Sequence, residues 1–325
     1  MEETILKTED LCAGFPGRRG EIRAVDHVSL EVKRGRITAL VGESGCGKSM
    51  TARAVMHLMR YPGRVTGGRV LLDGQDLTKM KRRERRALMG SRMSMIFQDP
   101  MTSLNPVVRI GKQVDEVLRL HEHLSGEEAR KRTIRMLADA GVPDPERRYR
   151  NYPHELSGGL RQRVMIAMAM ICKPALLLAD EPTTALDVTV EAQILLLMKH
   201  LRDEGTGILL ISHNLGAVAQ VCDDVCVMYA GKIVEQGDVF TIFERPAHPY
   251  TQGLLGAVAS LRSGAETLET IPGTVPQLQN LPQGCSFAPR CPLHRPECRM
   301  RMPELRETES GHLVRCLAAE EAAGR

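Results

Sequence analysis

"LVGESGCGKSM", residues Leu40–Met50, sets three glycines, a lysine and a serine behind an apolar run. The spacing Gly42-x-x-x-x-Gly47-Lys48-Ser49 is that of a phosphate-binding loop. Its flanks agree, since Arg36–Val41 (RITALV) reads as a buried strand and Lys48–Met59 as a helix. Glycines let successive backbone N–H groups curl around an anion. The helix that follows adds its free N-terminal donors and positive dipole end. The predicted nucleotide contacts are Gly42, Glu43, Ser44, Gly45, Cys46, Gly47, Lys48, Ser49 and Met50. Lys48 brings a full charge to the outer phosphates, and the Ser49 hydroxyl is placed to ligate Mg²⁺. A plain glycine-rich turn does not account for strand, spacing, lysine and serine together.

Outward from the loop, Val25–Val32 (VDHVSLEV) alternates apolar and polar residues as a half-buried strand does, and Val70–Leu72 and Met93–Phe97 are further strands. Lys79–Gly90 is a basic helical stretch, read as a solvated face. Residues 105–155 are mainly helical. Ala175–Ala179 (ALLLA), Gly207–Ser212 (GILLIS) and Asp224–Tyr229 (DVCVMY) are apolar strands separated by helix-like segments. Strands alternating with helices predict an α/β fold with a mostly parallel sheet covered on both faces. After about residue 263 the chain becomes rich in Pro, Gly and Cys, and no internal repeat of the nucleotide domain is present. The domain reading is 1–262 for the nucleotide-binding domain and 263–325 for a Pro/Cys-rich extension.

Composition narrows the function. The 325 residues carry 44 basic and 40 acidic side chains, a net +4, which gives no strong attraction to nucleic acid. With no Trp, five Phe and five Tyr, there is little on which bases would stack. The longest apolar run, Val164–Cys172, is far short of a bilayer span. The acidic opening MEETILKTED lacks a secretory core, and nine cysteines without such a signal point to a reducing compartment. The chain is expected on the cytoplasmic side, reaching a membrane only through a partner.

A second set of residues completes the chemistry. The strand Ala175–Ala179 runs into Asp180-Glu181, where parallel sheets bind ligands. Asp180 is placed to hold the Mg²⁺ shell, and Glu181 to polarise a water for in-line attack on the γ-phosphate. Ser157-Gly158-Gly159 stands directly before a long helix, a phosphate cradle without a lysine. His213 ends a strand in "ISHNL", and Gln98 ends another in "MIFQDP".

GESGCGKS, IFQDP, LSGGL, LLLADEP, TTALD and ISH resemble, in this order, the ATPase subunit of an ABC transporter, over about residues 4–260. The resemblance implies a P-loop NTPase (RecA-like) core with an antiparallel β subdomain and a helical subdomain at about 99–165. It also implies a head-to-tail pair of subunits with ATP sandwiched between them. Each ATP would touch the phosphate loop of one subunit and Ser157-Gly158-Gly159 of the other. Gln98 would sense ATP, contribute to the Mg²⁺ shell and couple to the membrane subunit. His213 would be the γ-phosphate switch, Asp187 a contact across the dimer, and Phe15 the aromatic stacked on adenine. Two departures stand out: Leu160 where the family usually has Gln, and Asn214 where it often has Asp.

The extension holds Cys285, Cys291, Cys298 and Cys316 in the pattern C-x5-C-x6-C-x17-C. Four thiolates on a Pro-rich loop suit Zn²⁺ or an iron–sulfur cluster, although the spacing is wider than the paired C-x2-C of zinc modules. With "HPYTQGLL" before it, "GCSFAPRCP" is similar to the C-terminal pattern of the oligopeptide, dipeptide and nickel importer branch. That likeness implies a [4Fe–4S] cluster on the four cysteines. It further implies a second, different ATPase subunit, two integral membrane permeases and a periplasmic or extracellular solute-binding protein. Peptide, nickel-complex, opine and glutathione importers share these motifs, so the solute stays open. Cys46 is a candidate for oxidation, whereas Cys12, Cys172, Cys222 and Cys226 fit apolar surroundings.

Two other classes fit less well. DNA-repair relatives carry a long coiled coil between the phosphate loop and Ser-Gly-Gly, where this chain has about 110 residues; ribosome-acting ones usually carry two cassettes. A P-loop kinase or GTPase has no use for Ser157-Gly158-Gly159.

Overall fold

The computed structural model describes residues 3–17, 20–99, 103–184, 186–263, 271–309 and 311–319. In chain order it forms β1 (Thr4–Gly17), β2 (Gly20–Lys33), β3 (Ile37–Val41), α1 (Lys48–Val55), β4 (Arg64–Leu72), β5 (Gln75–Asp76), α2 (Arg82–Leu88) and β6 (Met93–Ile96). Then come α3 (Ile110–His121), α4 (Gly126–Asp139), α5 (Pro145–Arg148), α6 (Gly158–Met170), β7 (Leu176–Asp180), α7 (Val188–Asp203) and β8 (Gly207–Ser212). The remainder is α8 (Leu215–Val221), β9 (Asp224–Tyr229), β10 (Lys232–Asp238), α9 (Val239–Glu244), α10 (Pro249–Ser263), α11 (Pro296–Met300), β11 (Arg306–Glu309) and β12 (His312–Val314).

The chain divides into two compact units, both discontinuous in sequence. The first comprises residues 1–6, 32–37 and 79–210. Its sheet strands follow the order β8–β7–β6, with β6 and β7 parallel and Met93 opposite Leu176. β7 (LLLAD) is buried at every position, as a strand covered on both faces must be. Beside it, α3, α4 and α6 enclose a helical core in which Ile110, Val114, Leu118, Leu137, Val164 and Ala167 are fully buried. The Tyr149 hydroxyl donates to Asp115 within that packing. The predicted helical span is thus several short helices, and Val164–Cys172 is core rather than membrane anchor. No helix among the described residues is long and apolar enough to cross a membrane.

The second unit comprises residues 7–31, 38–78 and 211–325. A four-stranded sheet of order β2–β1–β4–β5 forms one layer, with β4 and β5 antiparallel. The other sheet runs β11–β12–β10–β9–β3, with β3 parallel to β9 and the remaining pairs antiparallel. The cysteine-rich stretch is therefore stitched into a sheet: β12 pairs with β10, setting Glu235 opposite Val314. Fully buried Glu235 fastens the same region, accepting from the backbone of Ala247 (2.7 Å) and His248 (3.0 Å) and pairing with His312 Nε2 at 2.8 Å.

Candidate active site

In the second unit, fully buried β3 delivers the chain into the loop. Gly42 (φ 151), Gly45 (φ 79) and Gly47 (φ 113) hold conformations that L side chains rarely adopt. Two of them are also dictated by space, because a Cβ at Gly42 would run into the Met228 carbonyl and one at Gly47 into the Ala24 carbonyl. Gly47 caps α1, and its carbonyl accepts the Thr51 N–H at 2.9 Å. Lys48, first residue of that helix, is only 5% exposed. Its Nζ donates to the carbonyls of Gly42 (2.7 Å) and Glu43 (2.9 Å), which holds the ammonium over the loop's leading arm. Ser49 and Met50 are half-buried in the first turn of α1, and Ser44 is exposed.

Cys46 is fully buried, and burial pushes its thiol above the ordinary range. Its Sγ accepts from Lys48 Nζ at 3.8 Å, so the thiol lies against the loop's own cation. Phe15 on β1 is half-buried, with its ring edge against Gly63. His213 is exposed at the end of β8. The unusual Asn214 caps α8, its Oδ1 accepting the Ala217 N–H at 3.2 Å, so this departure keeps a group that can do what aspartate does.

In the first unit, Asp180 is fully buried at the carboxyl end of β7. Glu181 follows in a left-handed conformation, φ 47. Its Oε2 accepts from Gln98 Nε2 at 2.9 Å and from the Thr184 hydroxyl at 3.1 Å. Gln98 and Glu181, 83 residues apart, are thus brought together as one hydrogen-bonded group. Buried Gln162 on α6 donates to the Pro182 carbonyl at 2.6 Å and braces the turn beyond Glu181. Ser157 opens α6, its hydroxyl accepting the Leu160 N–H at 3.3 Å. Nothing lies within 4 Å of where a Gly158 Cβ would stand, so the backbone there is bare to an approaching anion. Leu160 serves the cap through its backbone, which makes its side chain irrelevant to that bond. Asp187 caps α7 by accepting from Val190 N–H at 3.0 Å.

Cys285, Cys291, Cys298 and Cys316 line one cavity together with His248 and Phe287. Backbone N–H groups point at the sulfurs: Phe287 and Ala288 at Cys285, Leu293 at Cys291, Ala318 and Ala319 at Cys316. Burial pushes the Cys285 thiol up to about 11 and raises those of Cys291 and Cys316. Among the described residues no three of these sulfurs lie within 4.8 Å of one another. Cys12, Asp26 and His27 do form so close a group, but Asp26 is committed to Lys232 (2.5 Å) and Arg23 (3.3 Å). Cys12, Cys222 and Cys226 are buried as expected, and Cys172 is partly exposed.

Sequence reasoning missed Thr184 and Gln162 around the acidic pair, and Tyr250 and Arg290 beside the phosphate loop. Arg290 is separated from its partner Glu43 by 247 residues, and no local pattern announces such a contact.

A glycine-shaped phosphate loop, a buried aspartate followed by a braced glutamate, and a bare Ser-Gly-Gly helix start define an ATP-binding cassette ATPase. The family profile "ABC transporter" matches residues 25–184, and "Oligopeptide/dipeptide transporter, C-terminal region" matches 234–298. A probable peptide ABC transporter ATP-binding protein (y4tR) of Sinorhizobium fredii is 47% identical, over 98% of this chain and 96% of its own length. The dipeptide transport ATP-binding protein DppD of Escherichia coli is 45% identical over 99% and 98%. The oligopeptide transport ATP-binding protein OppD of Escherichia coli is 47% identical over 97% and 93%. Among solved structures, the ATP-binding cassette MJ0796, a dimer in a post-hydrolysis state with ADP and Pi, aligns with TM-score 0.67 at 26% identity. That alignment covers 72% of this chain and 98% of that one. The chain belongs to the ATP-binding subunits of the dipeptide and oligopeptide ABC importers, and it is an ATPase that drives transport.

Proposed function

We propose that this subunit powers the import of short peptides, working on the cytoplasmic face of the inner membrane. Its partners are a second, non-identical ATPase subunit, two permeases and a solute-binding protein. The observation that carries the reading is likeness from end to end: identity of 45–47% to peptide-importer ATPases persists over 97–99% of the chain, extension included.

In this mechanism the phosphate loop residues Gly42–Met50 hold the nucleotide, with Lys48 on the outer phosphates and Phe15 against the adenine. Ser49, Gln98 and Asp180 would hold Mg²⁺, which when bound would offset negative charge on the phosphates. Glu181 orients and polarises the attacking water, and its bonds from Gln98 and Thr184 fix the carboxylate for that work. His213 contacts the γ-phosphate. Ser157, Gly158, Gly159 and Asp187 close on the nucleotide of the neighbouring subunit. ATP binding closes the pair, and hydrolysis reopens it.

For the 263–325 extension we propose a structural module built on a [4Fe–4S] cluster held by Cys285, Cys291, Cys298 and Cys316. Four thiols lining one cavity, with N–H groups directed at them, fit a group held by soft thiolate ligands. The C-x5-C-x6-C-x17-C spacing is wider than the paired C-x2-C of zinc modules. Bound there, a cluster supplies cross-linking of the extension.

The deciding experiment reconstitutes the chain with the permeases and binding protein made alongside it and follows ATP-dependent uptake of a labelled dipeptide. Uptake that needs ATP and disappears with Glu181→Gln is the expected result. ATP hydrolysis without uptake of any di- or oligopeptide would overturn the peptide assignment. Brown colour and iron in anaerobically purified protein test the cluster, and colourless protein holding zinc would replace it.

A further inference from the structure

Every polar group of Glu43, the second residue of the phosphate loop, is engaged. Its carboxylate takes both arms of the Arg290 guanidinium, at 2.7 and 3.0 Å. Its N–H donates to the Tyr250 hydroxyl at 2.8 Å, and its carbonyl accepts from Lys48 at 2.9 Å. Arg290 has no slack of its own. Its side chain is 5% exposed, and it donates to the carbonyls of Pro272 (2.8 Å) and Ile271 (3.2 Å). It occupies a single helical turn, Ala288–Arg290, directly before Cys291. Tyr250 is wholly buried, its ring 4.7 Å from that of Tyr229 and 5.4 Å from that of Phe287. A fork-to-fork pair with the arginine buried is far stiffer than a surface ion pair.

We propose that Arg290 and Tyr250 are positioning residues for the nucleotide, through which the cysteine-bearing extension holds the leading arm of the phosphate loop and so sets nucleotide affinity. The inference rests on the ATP-binding reading of that loop. Three glycines at positive φ give the segment wide backbone freedom, and whatever freedom remains must be surrendered when phosphate binds. Clamping Glu43 from outside removes that cost before the ligand arrives, which is how preorganisation raises affinity.

The test measures the Kd of a fluorescent ATP analogue with Mg²⁺ on the full chain, alongside thermal melting and thiol titration. Arg290→Gln is expected to raise Kd about tenfold, equivalent to about 1.4 kcal/mol. Tyr250→Phe, which keeps the ring and removes the hydroxyl, should raise it by a smaller factor. Arg290→Lys, which keeps the charge without the fork, should fall between wild type and Arg290→Gln. Glu43→Ala should match Arg290→Gln, and the double variant should be no worse than either single one. For Arg290→Gln in the assembled transporter, KM for ATP should rise while kcat at saturation holds.

A folded Arg290→Gln chain that melts earlier yet binds the analogue normally would overturn the proposal, as would additive effects in the double variant. If Arg290→Gln fails to fold, unchanged Kd in both Glu43→Ala and Tyr250→Phe overturns it instead. Lys48→Ala runs in parallel: analogue binding unaffected by that change would sink the ATP reading of the loop itself.

Discussion

Alanine at position 47 must stand at φ 113 with its Cβ driven into the Ala24 carbonyl oxygen and 2.8 Å from Met228 Cε. Alanine at position 45 meets nothing within 4 Å and carries only the conformational penalty of φ 79. These two glycines share a loop and a sign of φ, so they separate space from backbone strain. A left-handed residue costs about 1–2 kcal/mol, and overpacking against atoms that cannot swing away adds about 1–3 kcal/mol. Gly45→Ala should therefore cost about 1–2 kcal/mol of stability and Gly47→Ala about 2–5 kcal/mol, with ATP binding weakened in the same order as the loop gives way. Equilibrium binding of a fluorescent ATP analogue reads both, and thermal melting should fall further for Gly47→Ala. Equal losses in the two variants would mean that the Ala24 carbonyl exerts no control over the loop, and the packing account of Gly47 would be wrong.

Glu181→Gln in the assembled transporter should slow phosphate release by about 10²-fold or more, the range of general-base catalysis, while ATP affinity stays near wild type. Unchanged turnover would remove Glu181 from its role. Lys48→Ala should lower nucleotide affinity itself, seen as loss of analogue binding by a chain that still melts cooperatively. Glu235→Ala leaves two N–H groups and His312 without their buried acceptor and should cost about 3–5 kcal/mol. A melting temperature within a degree or two of wild type would count against that network.

Much of the architecture was legible because the strands that build it are short, apolar and wholly inside. GILLIS and DVCVMY fold at the bounds their composition suggests, since each apolar run stops where the chain leaves the core. Where glycine serves a close approach instead of a turn, the reading stopped short. β4 begins at Arg64 rather than Val70, and Gly68 sits inside it with no room for a Cβ beside Asp10. The first helix stops at Val55, four residues short of the apolar pattern's end at Met59, because Met56 closes it and His57 (φ 52) turns the chain aside. β11 and β12 (RETE and HLV) are too brief and too polar for any period to show. At the site, the local motifs named their own residues, and the family resemblance assigned Gln98 to the ATP site, whereas its bond to Glu181 came only with the structure. The long-range partners Arg290 and Tyr250 were silent, since a salt bridge spanning 247 positions leaves no trace in spacing.

The left-handed backbone of Glu181 carries a further consequence. A glutamate held at φ 47 is uncomfortable by about 1–3 kcal/mol, and glycine would sit there at ease. Thermal robustness and turnover therefore pull this position in opposite directions. A laboratory lineage bred only to survive heating would drift toward Glu181→Gly, ending with a sturdier protein that no longer burns fuel.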